Sequence, residues 1–305
     1  MVRNDPLWKG IIQELVFPFL LFFYPEEEFD LSQEPEFLDK ELEQIFPRED
    51  TDAKRRLVDK LIKVWTISGE EKWILIHIEV QGYRDPLLPQ RMFQCFYRIL
   101  DSHKKPVISL VIYTDSDPGY KPATYHYEMA GTKLSYTFGT YKILEQSTEE
   151  LEKSDNPFAL VILTVLESLK MKDKAGEKQI DSKLKLVRHL IGKNYDRKYI
   201  RGMMSFIRFY VRLPDDELNL KFDKKVEELV TNKNIPMGVE EILIEQAKEE
   251  GLEKGLQKGR DEGREEQLYE VVKRMLIKGK GIQEICDLLE VSEAYVLNIQ
   301  KEILG

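Results

Sequence analysis

The sequence predicts an α/β core, a mixed sheet flanked by helices, followed by an all-helical C-terminal region. Three observations predict it. Two short runs, 57–65 and 73–81, are strand-like and carry acids, and the second is rich in β-branched residues and too short for a core helix. A third, Val107-Ile108-Ser109-Leu110-Val111-Ile112-Tyr113, is almost continuously apolar, as a strand buried on both faces is. From 156 to 213 the pattern instead turns helical, and the charged residues then concentrate toward the C-terminus.

The elements follow in order. Residues 5–24 read as a core helix, with Asp5-Pro6 as the start signal and a break at Pro18. Residues 36–46 fit a short helix or a strand equally well. The runs 57–65 and 73–81 read as strands joined by a turn around Ser68-Gly69-Glu70. On the second strand Ile74, Ile76, Ile78 and Val80 share one face, and Trp73, Leu75, His77, Glu79 and Gln81 share the other. Pro86 and Pro89 bracket a loop before a helix over 90–103, where Met92, Phe93, Phe96, Tyr97 and Leu100 recur at helical spacing.

After the buried strand, 124–144 is again strand-like, and helices are expected over 159–169, 183–191 and 198–211. Gly251, Gly255, Gly259 and Gly263 then fall at four-residue spacing in charged sequence. A glycine inside a helix costs about 1 kcal/mol relative to alanine, so this stretch reads as a weak connector helix. The last segment has the outline of a small helix-turn-helix, with Ser292 as the N-cap of its second helix. The domains expected are therefore a core over 1–150, a helical region over 151–235, a connector over 236–270 and the small module over 271–305.

At 305 residues the chain can bury one sizeable core and carry an appendage. The net charge of −9 argues against indiscriminate binding to a polyanion, though a local patch can differ in sign. Cys95 and Cys286 have neither metal-ligand spacing nor a disulfide framework, which fits a reduced, cytoplasmic location. The apolar run 15–24 contains Pro18, is too short to span a bilayer and is followed by three glutamates. No membrane association is expected.

The chemistry centres on two acids. Asp59 lies on the first strand and Glu79 near the end of the second, with Gln81 two residues on. An acid on so hydrophobic a strand needs a partner, because an unpaired buried carboxylate is costly. A divalent metal shared by Asp59 and Glu79 answers that need.

The order of helix, acid-bearing strand, strand ending in Glu-x-Gln, helix and buried strand resembles the PD-(D/E)xK nuclease superfamily. More narrowly, residues 5–150 resemble the recombination-promoting nuclease family, the YhgA-like, transposase-related proteins. The residues that carry the resemblance are Asp5-Pro6-Leu7-Trp8-Lys9, Phe37-Leu38-Asp39-Lys40-Glu41-Leu42, Val58-Asp59-Lys60-Leu61-Ile62-Lys63-Val64, Ile76-His77-Ile78-Glu79-Val80-Gln81 and Arg91-Met92-Phe93. The resemblance implies a restriction-endonuclease-like core and Mg²⁺-dependent cleavage of DNA, with Mn²⁺ able to substitute.

Asp59, Glu79 and the backbone carbonyl of Val80 would hold the ion, and the hard oxygens suit Mg²⁺. The superfamily usually ends its motif in lysine, whereas this chain has Gln81, as families of this kind do. Glutamine is neither a cation nor a useful base. Glu41 is a candidate further acid, and His77 a candidate assistant. Lys63 lies about 13 Å along its strand from Asp59, too far to share the ion readily.

Arg91, at the start of the following helix, is a candidate phosphate contact. A second DNA-binding surface is expected from Lys183, Lys185, Arg188, Arg197, Lys198 and Arg201, a basic stretch with Tyr195 and Tyr199 interleaved. The same charges would also suit an amphipathic helix pair that offsets the acidic remainder. The function expected is a metal-dependent DNA endonuclease linked to recombination or to a mobile element, with C-terminal helices that could pair copies of the chain. A catalytically silent DNA- or protein-binding protein acting through its C-terminal half is the alternative, and a transcription regulator using 282–303 a third.

Overall fold

The α/β core has a mixed sheet covered on both faces. The structure is a computed structural model that describes residues 5–40, 58–79, 84–171, 176–193, 195–232, 259–260, 263–264 and 267–304. It divides into two units, Met1–Leu243 and Ile244–Gly305.

The first unit opens with α1 (Asp5–Glu14) and α2 (Val16–Phe23), bent by 88° at Leu15. The expected break at Pro18 falls three residues earlier. A proline within the first turn removes no helical hydrogen bond, so α2 accommodates Pro18. Together the two helices bury Trp8, Ile11, Ile12, Leu15, Phe19 and Leu20. Among the described residues no single helix is long and apolar enough to cross a membrane.

Five strands follow in the sheet: β1 (Glu36–Phe37), β2 (Val58–Trp65), β3 (Glu71–Glu79), β4 (Val107–Tyr113) and β7 (Gly139–Lys142). Among the described residues they lie in the order β1-β2-β3-β4-β7. The first two pairings are antiparallel and the last two parallel. The turn between β2 and β3 uses Gly69 at φ 83°, a left-handed conformation that glycine adopts without a Cβ penalty. Residues 36–46, ambiguous in sequence, begin as the short edge strand β1; 41–46 lie outside the described residues.

The parallel step from β3 to β4 is made by α3 (Leu88–His103), which begins two residues before the expected start. Pro89 is therefore not in a loop but in the first turn of the helix, where its missing N–H is no loss. Strands β5 (Thr124–Met129) and β6 (Thr132–Thr137) form a separate hairpin. Its two-residue turn, Ala130-Gly131, has φ of 47° and 87°, the signs a right-twisted hairpin needs. A two-stranded hairpin is marginal alone. This one leans on α3 through ring contacts of Phe93 with Tyr125 and of Phe96 with Tyr136, at 5.4 and 4.8 Å between centroids.

Both faces of the sheet are covered, which explains why its strands alternate less cleanly than half-exposed ones. On one face Ile62, Val64, Ile74, Leu110 and Ile112 join α1, α2 and α5 (Pro157–Met171), the last buried nearly all round. On the other, Leu61, Trp73, Val111 and Tyr113 pack against Leu88, Met92 and Ile99 of α3. Each such side chain contributes about 1.5–3 kcal/mol by leaving water.

After the short helix α4 (Thr148–Lys153) and α5 come α6 (Glu177–Gly192), α7 (Arg197–Tyr210) and α8 (Asp216–Asn232). These helices share the core of the first face, through Leu184, Val187, Met204, Ile207 and Phe222. The expected division at residue 150 therefore runs through one continuous core rather than between two bodies. Gly202 lets α7 approach α1: a Cβ there would meet the Glu14 carboxylate.

In the second unit, residues 267–277 are helical and are followed by α10 (Ile282–Leu289) and α11 (Glu293–Leu304), taking the 267–277 helix as α9. Glu290, at φ 54°, ends α10, and Ser292 Oγ accepts a hydrogen bond from Tyr295 N at 3.3 Å as the cap of α11. Val272, Ile285, Val296 and Ile299 form a small core of this unit's own.

Candidate active site

The strand register decides what the two sequence-predicted acids can do together. Asp59 pairs with His77 across the antiparallel β2/β3 ladder, and Glu79 is two residues further on β3. Glu79 in turn pairs with Tyr113, and Tyr113 with Lys142. The last residues of three neighbouring parallel strands thus stand in one row, with Asp59 two register positions away near the start of β2. In open α/β sheets the carboxyl ends of the strands are where ligands bind.

Strand alternation assigns positions 59, 77 and 79 to the face of Leu61, Trp73 and Tyr113, the one covered by α3. The side chains of Asp59, His77 and Glu79, and all of Glu41, Val80 and Gln81, lie outside the described residues. The donor set these residues would supply, two carboxylates and a backbone carbonyl, is hard oxygen and fits Mg²⁺ in kind. Among the described residues no group of three or more His, Cys, Asp or Glu is placed to hold a metal.

The nearest sequence cations have partners of their own. Lys60, on the opposite face and buried, donates to Asp39 Oδ2 at 3.1 Å and lies over the Phe37 ring. Lys63 donates to Glu36 at the β1 edge. Arg91 is placed at the start of α3, with Nη2 2.8 Å from Asp85 Oδ2.

Around this edge the structure adds residues that sequence reasoning missed. Lys142 is fully buried and donates to Asp115 Oδ1 at 2.7 Å and to the Tyr120 carbonyl at 3.3 Å. Its ammonium also lies 5.6 Å from the centre of the Tyr113 ring. Tyr113 donates to the Pro122 carbonyl and meets Tyr120 edge to face. Arg84 beside Asp117 holds that carboxyl below the usual carboxylate range, helped by the Gly119 N–H. Only Asp85 carried a usable signal. An aspartate before a proline and a helix is a turn and cap residue, and its Oδ1 accepts from Leu87 N at 2.9 Å.

The basic stretch is divided by the fold. Lys183 is not on the surface: it is buried, donates to the Arg208 carbonyl at 2.9 Å and lies over the Phe222 ring at 4.3 Å. Its spacing from Ile180 and Val187 puts it on the core stripe of α6, a signal legible in the sequence. Lys185, Arg188, Arg197, Lys198 and Arg201 are exposed, so these positions of α6 and α7 face solvent. Acids are interleaved with them: Lys185 pairs with Glu152, Lys193 with Asp155, and Arg208 with Asp223. No protein-family model matches the chain, and neither a curated protein nor a solved structure does.

Proposed function

We propose that this chain is a metal-dependent DNA endonuclease with a restriction-endonuclease-like core. The observation that carries the reading is the register bringing Asp59 and Glu79 to adjacent strands at the carboxyl edge of a mixed sheet. The residue types agree with it: two carboxylates and a carbonyl for Mg²⁺ or Mn²⁺, and a guanidinium at the start of the next helix.

Asp59, Glu79 and the Val80 carbonyl would hold the ion, with Glu41 a further acid. The ion, when bound, supplies charge neutralisation at a phosphate and a more acidic water. Gln81, able both to donate and to accept, would orient water by hydrogen bonding. Arg91 would bind a phosphate oxygen, and Lys185, Arg188, Arg197, Lys198 and Arg201 the flanking DNA backbone. A role in recombination or element mobility, a cytoplasmic location and pairing through the C-terminal helices belong to the same proposal. The regulator alternative is less favoured, because α11 carries a single cation, Lys301, among its described side chains. Nicking of supercoiled plasmid by the purified protein in Mg²⁺, and its absence in EDTA, tests the reading.

A further inference from the structure

Arg91 does not hang from α3 by itself; a chain of buried contacts reaches it from the far side of the sheet edge. The segment after β4 carries Tyr120, which is almost fully buried. Its hydroxyl accepts from Asp85 N at 3.1 Å and donates to Asp85 O at 3.0 Å, so one side chain fixes both backbone groups of that residue. Tyr120's own carbonyl is held by Lys142, which Asp115 anchors in turn. Asp85, with its side chain only 2% exposed, then offers Oδ1 to the start of α3 and Oδ2 to Arg91.

Two features describe how the guanidinium sits on this scaffold. The Arg91 side chain is 28% exposed, in contrast to Asp85. Arg91 Nε and Nη2 are buried and make no hydrogen bond of normal geometry, so the Asp85 contact is an ion pair that holds this edge of the guanidinium inward and leaves only the exposed part of the side chain for a ligand. A guanidinium carries a fixed charge, and its exposed part suits a phosphate oxygen. A carboxylate behind it diminishes the net charge but restricts the rotamers of a long side chain, which aims the group.

We propose that Tyr120 and Asp85 are positioning residues that hold Arg91 as a phosphate clamp at the sheet edge. The anion would be a backbone phosphate of the nucleic acid. The proposal rests on the nuclease reading for the identity of that anion, and not for the geometry. Asp85 contributes aim rather than charge, and Tyr120 acts only through Asp85.

The test measures equilibrium binding of a fluorescein-labelled DNA duplex to the full chain in EDTA, between about 50 and 200 mM salt. Arg91→Gln should weaken binding about tenfold and lower the salt slope by about one phosphate contact, roughly 0.9. Tyr120→Phe keeps the buried ring and removes only the hydroxyl. It should move affinity and slope toward the Arg91→Gln values and add nothing when combined with that change.

Asp85→Asn keeps an oxygen for the Leu87 N–H but removes a negative charge near the DNA. Charge alone predicts tighter binding for this variant, whereas loss of aim predicts weaker binding. A wild-type slope in Tyr120→Phe, or tighter binding by Asp85→Asn, overturns the proposal. If Arg91→Gln binds as wild type does while plasmid nicking persists, the clamp is wrong and the nuclease reading stands. Absence of duplex binding by the wild type overturns both.

Discussion

Lys142 and Asp115 form a 2.7 Å ion pair whose side chains are 0% and 1% exposed. It joins the end of β7 to the residues just past β4, beside the row that ends in Glu79. Such a pair is weak evidence of net stability, because both charges lose their hydration. Asp115 Oδ2 adds to that penalty, being buried without a hydrogen-bond partner.

Breaking this pair and replacing it should therefore have opposite consequences. Lys142→Met leaves a buried carboxylate without its counter-ion, with only the Asp117 N–H donating to it, and should destabilise the fold by about 3–5 kcal/mol. The double replacement Lys142→Met with Asp115→Leu should recover most of that loss. Urea unfolding of the wild type, the single variant and the double variant checks it. Equal stability of the two variants would show that the charges do not act as a pair.

His189 predicts a pH response. Burial pushes its pKa below the ordinary histidine range, and the Lys193 ammonium adds to the effect while Glu152 opposes it. Its Nε2 is buried without a hydrogen-bond partner. The unfolded chain then binds a proton more readily than the folded one, so stability is lost as pH falls through the unfolded value. The Tm of the wild type should drop between about pH 7.5 and 5.5, and His189→Gln should show a smaller drop. Parallel Tm profiles for the two proteins would remove His189 as the cause.

A chain ending at Leu243 should fold on its own. Helix α8 is anchored in the core of the first unit by Leu218, Phe222 and Val226, whereas Val272, Ile285, Val296 and Ile299 form a core within the second unit. Thermal unfolding of the shortened chain should remain cooperative, with Tm within a few degrees of the full chain. A molten or insoluble product would place the boundary elsewhere.

The central strands were legible because burial on both faces leaves continuous runs such as 107–113, and the β2/β3 turn was legible from Gly69. The bend between α1 and α2 was displaced, since proline marks a first turn as readily as a break. Lys183 illustrates the limit of reading charge alone. A cation at core spacing was counted with the surface, although Phe222 and the Arg208 carbonyl receive it. The Asp115–Lys142 and Asp85–Tyr120 contacts join residues 27 and 35 apart, and neither periodicity nor a local motif encodes such pairings. For the candidate site, the sequence supplied the two acids, and the register supplied their adjacency.

The most direct measurement is nicking of supercoiled plasmid in Mg²⁺ by the wild type, Asp59→Ala and Glu79→Ala, with thermal unfolding to confirm that each variant is folded. Removing one carboxylate leaves the ion under-neutralised and displaced, so each variant should fall at least about a hundredfold below the wild type. The wild type itself should be inactive in EDTA. Nicking at the wild-type rate by either folded variant would contradict the account.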